Sequence, residues 1–100
     1  MIFYVKYDEN EELVDIINVP NFTLIKLEQK QYEFFKWLFN KKNNHKYWRD
    51  VNGEKNYCTY DVSAFIEWLN INVFNSFTEK ARLVQMDAKP QNADVDILYF

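Results

Sequence analysis

One hundred residues, 48% hydrophobic and 27% charged, describe a single globular domain over 1–100 and exclude a disordered chain. A net charge of −3 is too mild for a DNA mimic and has the wrong sign for a general nucleic-acid binder. One Cys excludes an internal disulfide, and no apolar run approaches the roughly 20 residues of a membrane span, so a cytoplasmic protein without membrane contact is expected.

Residues 2 to 7, IFYVKY, are β-rich and run into the polar turn DENEE. The apolar stretch has no basic lead, so no signal peptide is expected. LVDIINV, 13 to 19, follows, and the two runs predict an antiparallel hairpin. Pro20-Asn21 ends the second strand. FTLIKL, 22 to 27, reads as a short third strand or as the lead into a helix.

EQKQYEFFKWLFNKK, 28 to 42, predicts an amphipathic helix with Tyr32, Phe34, Phe35, Leu38 and Phe39 on one apolar arc. Trp37 falls outside that arc and is expected half exposed. Asn52-Gly53 then supplies the strongest short hairpin signal, because both residues tolerate positive φ. With those two as the loop, Val51 faces Glu54, Asp50 faces Lys55, Trp48 faces Tyr57 and Tyr47 faces Cys58. Alternation then puts Trp48 and Tyr57 in water as a cross-strand pair, and turns Tyr47, Val51, Cys58 and Tyr60 inward.

Asp61 is a fitting N-cap for a helix reaching about Phe74, with Val62, Phe65, Ile66, Leu69 and Val73 on its inner face. Trp68 lies at the edge of that face and Ile71 on the far side. Residues 77 to 88 fit a helix nearly as well as a strand. A strand over 81–86 is preferred, paired with a C-terminal strand in DVDILYF, 94 to 100. The expected fold is therefore α+β, an antiparallel sheet of four to six strands with two or three helices packed on one face.

Chemistry is sparse. His45 and Cys58 share a predicted face, but a small buried thiol and a strand-end imidazole explain them better than a nucleophile and its base. The acidic run Asp8, Glu9, Glu11, Glu12 and Asp15 lacks the spacing and glycine of a calcium loop and reads as a solvated turn. No catalytic residue, cofactor or metal site is expected. Aromatics at 19% exceed what a small core hides easily, and Trp, Tyr and Arg dominate binding hot spots. The partner-binding candidates are Trp48, Tyr57, Arg49, Lys46 and Trp37.

The sequence thus points to a non-enzymatic protein that binds a host or cognate protein, as a monomer or small homo-oligomer. Ten Lys against two Arg, with abundant Asn, Ile, Tyr and Phe, suit AT-rich codons. By analogy of class, such small proteins are carried by phages and mobile elements as inhibitors of host enzymes or defence systems, anti-CRISPR-like or toxin-immunity-like. The alternative is a nucleic-acid-binding accessory protein using Lys41, Lys42, Lys46, Arg49 and Trp48, basic groups interleaved with rings that could stack on bases.

Overall fold

Apolar alternation in the first two runs builds the centre of the sheet. In the computed structural model, which describes residues 1–100, β1 (Ile2–Lys6) and β2 (Val14–Asn18) pair antiparallel, Phe3 opposite Ile17 and Val5 opposite Asp15. Phe3, Val5, Ile17 and Val19 point to one face and are fully buried there. After Pro20 the chain turns at Asn21, whose φ of 48° is tolerated by a short polar side chain.

Residues 22 to 27 lead into a helix and form no strand. The Thr23 hydroxyl accepts the Lys26 amide and caps α1 (Leu24–Leu38). The helix ends earlier than 42 because side chains from beyond it take its last carbonyls. Asn43 donates its amide to Trp37 O at 2.9 Å, and His45 Nε2 lies 2.7 Å from Leu38 O. Lys41 and Lys42 therefore sit in a loop. The buried stripe of α1 is Leu27, Gln31, Phe34 and Leu38, while Tyr32 and Phe39 are exposed. Gln31 belongs in that stripe because its amide donates to Tyr99 O at 2.7 Å.

β3 (Trp48–Val51) and β4 (Glu54–Cys58) form their own two-stranded sheet. Asn52 and Gly53 make the turn at φ 54° and 79°. Val51 faces Glu54 and Asp50 faces Lys55, as the turn dictates, but Arg49 then faces Tyr57 and Trp48 faces Cys58. One residue of β4, Asn56, is left without a partner. This bulge exchanges the faces beyond it.

α2 (Val62–Asn72) starts at the Asp61 cap, whose carboxylate accepts the Ser63 amide, and buries Val62, Ala64, Phe65, Ile66 and Leu69. Within segment 77–88 the strand is β5 (Arg82–Ala88), preceded by irregular chain over 77–81, and the last strand is β6 (Ile97–Tyr99). These two do not pair with each other. The sheet order is β5-β2-β1-β6, with β6 parallel to β1, so the sheet is mixed where an antiparallel one was expected. Burial decides it: beside β1, Leu98 enters the core, and Gln31 can reach the Tyr99 carbonyl. The connection over 89–96 crosses the sheet's outer face, where the Tyr4 hydroxyl accepts the amides of Gln91 and Asn92 at 3.2 and 3.1 Å.

The fold is α+β. Phe3, Val5, Ile17, Val19 and Leu98 join Phe34 of α1 and Phe65 of α2 in one buried cluster, so both helices cover the same face. No helix is long and apolar enough to cross a membrane.

One charge lies inside. Asp15 is 4% exposed and has no cationic partner. Its Oδ2 accepts the Tyr7 hydroxyl at 3.0 Å and its Oδ1 the Asp87 amide at 3.1 Å, while Tyr7 accepts the Val62 amide at the start of α2. Two donors thus meet on one carboxylate, and the Tyr7 hydroxyl links it to the first amide of α2. Burial, reinforced by Asp15, pushes the Tyr7 phenol well above its ordinary 10.0. A folded value above the unfolded one means that the stabilisation is complete below about pH 10 and fades as pH rises beyond it. The urea midpoint should therefore fall between about pH 9 and about pH 11, and the fall should be smaller in Tyr7→Phe. Equal slopes in both proteins would show that this network does not couple to folding.

Candidate functional site

A lone two-stranded hairpin is marginal in water, so something must hold β3 and β4 in place. Tyr47, Cys58 and Tyr60 pack its base on the core. The rest is done by a column of rings. Trp37 of α1 lies on His45 with centroids 4.6 Å apart, His45 stacks on Trp48 at 5.4 Å and 11°, and the Lys55 ammonium sits 5.9 Å from the Trp48 ring.

Hydrogen bonds lock each layer. The Tyr47 amide donates to His45 Nδ1 at 3.2 Å, which assigns the ring proton to Nε2, where it meets Leu38 O. The Trp48 indole donates to Asn43 O at 2.8 Å. Lys55 donates to Lys41 O, Asn43 O and Asn44 Oδ1, binding the 41–44 loop to the hairpin. Cys58 Sγ donates to Leu38 O at 3.5 Å, beside His45, and burial pushes its thiol up. Both imidazole nitrogens are occupied by backbone, so His45 and Cys58 together cap a helix end.

The sequence candidates therefore separate. Trp48 and Trp37 are joined through His45 and are half-buried, so the expected Trp48–Tyr57 pair in water does not form. The bulge at Asn56 is the cause: it pairs Trp48 with Cys58 and sends Tyr57 to the opposite face. There Tyr57, 56% exposed, lies beside Arg49, with Val51 also exposed instead of turned inward. The Arg49 guanidinium donates to Lys46 O and Trp48 O, both at 3.0 Å, which holds it against the hairpin. Lys46 is elsewhere, paired with Glu67 of α2 at 2.9 Å. Lys41 and Lys42 are exposed in the loop.

A second feature adjoins the column. Glu67 accepts Lys46 on both oxygens and the Tyr47 hydroxyl at 2.8 Å. Hydrogen bonds from Lys46 and Tyr47 hold its carboxyl below the usual range, and burial with Glu67 pushes the Tyr47 phenol up to about 12. Next to this carboxylate, Trp37, Tyr47, Ala64, Trp68 and Ile71 line a cavity of about 180 Å³.

Sequence reasoning missed His45 as the centre of the column, Lys55 as its outer layer and Glu67 as the anchor of Lys46. Asp15, expected with its acidic neighbours in a solvated turn, is instead 4% exposed within β2, where it shares strand parity with the buried Ile17 and Val19. The contacts of His45, Lys55 and Glu67 depend on how the hairpin lies on α1 and α2, and no local spacing encodes that. No family model matches the chain, and no curated protein or solved structure matches it either.

Proposed function

We propose that this is a small non-enzymatic protein-binding module whose contact surface is the outer face of the β3–β4 hairpin. The observation that carries this reading is the pairing of a fixed element with an exposed face. The Trp37–His45–Trp48–Lys55 column holds the hairpin from behind, while Arg49, Val51 and Tyr57 face water in front. An element ordered in advance loses less entropy on binding. Small size and AT-rich composition suit an inhibitor of the phage or mobile-element kind, directed at a host enzyme or defence system in the manner of anti-CRISPR or toxin-immunity proteins. That assignment is an analogy of class.

The nucleic-acid alternative is weakened by the geometry of its own residues. Trp48, the one ring of that segment offered for base stacking, is half-buried, stacked on His45 and tied by its indole to Asn43 O, so Lys41, Lys42, Lys46 and Arg49 remain at the surface without a free stacking partner. Tagged protein passed through lysate of an AT-rich bacterial host, with and without nuclease, separates the two. A discrete protein band that survives nuclease and the Lys42→Glu/Lys46→Glu change is expected. A band lost on both treatments would overturn the protein-binding reading.

A further inference from the structure

We infer that the slot between α1, α2 and the residues leading into β3 takes one arginine side chain presented by a protein partner. This deepens the protein-binding reading and rests on it. Three aromatic residues from three different segments, Trp37, Tyr47 and Trp68, line the cavity of about 180 Å³ together with Ala64, Ile71, Asn72 and the Glu67 carboxylate. Both indoles are held by neighbours: His45 lies on Trp37, and Phe65 stacks beside Trp68 at 6.3 Å and 17°. Phe34 backs both indoles at 6.1 and 6.0 Å, so the walls are set before anything enters.

Glu67 gives the slot its charge. A purely apolar pocket would suit Leu or Phe. A carboxylate beside the rings favours a cation, which gains from the ring faces and the charge together. Among cations, the guanidinium is planar, weakly hydrated and able to stack between rings while its fork meets a carboxylate, whereas a lysine ammonium loses a tightly held water shell. A carboxylate offers about four acceptor positions. Lys46 uses both oxygens and Tyr47 uses Oε2, so Oε1 keeps one position open. Lys46 yields readily: its side chain is 66% exposed, and its other contact is the Tyr47 ring at 5.4 Å. The net charge of −3 adds attraction for a basic surface.

The test follows the three indole N–H signals of the full-length chain by NMR during titration with N-acetylargininamide, beside its neutral isostere N-acetylcitrullinamide. The arginine probe should shift the Trp37 and Trp68 signals saturably and leave Trp48, whose indole is tied to Asn43 O, in place. The citrulline probe should not saturate, and Glu67→Gln should weaken arginine binding about fivefold. Trp68→Ala should abolish it. Should that variant fail to fold, Glu67→Gln and the isostere still decide the matter. Equal shifts from citrulline, no shift from either probe, or movement of Trp48 alone would overturn the assignment. If the slot ignores arginine while a nuclease-resistant partner is still captured, the slot fails and the protein-binding reading stands. If arginine binds and no protein is captured, the slot stands and that reading fails.

Discussion

Phe34→Ala should cost about 3–5 kcal/mol of stability, close to half of what a domain of this size has. Phe34 is fully buried and touches five other rings: Phe35, Trp37, Tyr60, Phe65 and Trp68, with centroids between 5.3 and 6.3 Å. Truncation removes the transfer free energy of the ring and leaves a cavity that rigid aromatic neighbours cannot close. Phe39, the C-cap residue just beyond α1, is the control. It is 51% exposed, stacks on Phe35 and meets Tyr60 edge to face, so Phe39→Ala should cost less than about 1 kcal/mol. Urea unfolding of the three proteins measures both. Equal costs would mean that the aromatic cluster is not where the stability lies. Because Phe34 backs Trp37 and Trp68, its loss should also loosen the hairpin and the slot, and hydrogen exchange of the β3–β4 amides would show this.

How much of this was readable in the chain depends on the range of the interactions concerned. Local signals were accurate. The Asn52-Gly53 turn, the Asp61 cap, the inner face of α2 and the β1–β2 hairpin all rest on residues a few positions apart. The preference for a strand over 81–86 was correct, but its partner was not. Pairing neighbours in sequence is the cheapest assumption, and it loses here to the burial of Leu98 beside β1. The arc of α1 was misplaced for a related reason. Gln31 reads as polar until a carbonyl from β6, far away in sequence, satisfies its amide.

The site shows the same limit more sharply. The turn was right, yet a single unpaired residue at Asn56 put Trp48 and Tyr57 on opposite faces. A bulge obeys no short pattern that one sequence can show. In consequence Trp48 belongs to the support behind the hairpin, and the surface it was expected to share with Tyr57 is shared with Arg49 and Val51 instead. Trp37 and Trp68 were noted as edge residues. Their meeting across a cavity beside Glu67 depends on the packing of α1 against α2 and on where the hairpin lead lies.

On the proposed reading, a hairpin held from behind and open in front carries a quantitative prediction for binding. Arg49 and Tyr57 are cross-strand neighbours on the exposed face, and residues of these two types dominate binding hot spots. Neither contributes a ring or hydrogen bond to the supporting column except through the Arg49 contacts to Lys46 O and Trp48 O at the surface. Arg49→Ala with Tyr57→Ala should therefore leave near-UV circular dichroism and the urea midpoint close to the parent values. Partner affinity should fall by more than about 2 kcal/mol, roughly thirtyfold in Kd. Trp48→Ala should behave in the opposite way and lower stability first, since its indole is held by Asn43 O and its ring by His45. The deciding measurement is calorimetric titration of the nuclease-resistant partner with the parent protein and with the Arg49→Ala/Tyr57→Ala variant. A loss of at least thirtyfold in a variant that remains folded is the predicted result; an unchanged Kd would mean that the outer face of the hairpin is not the binding surface.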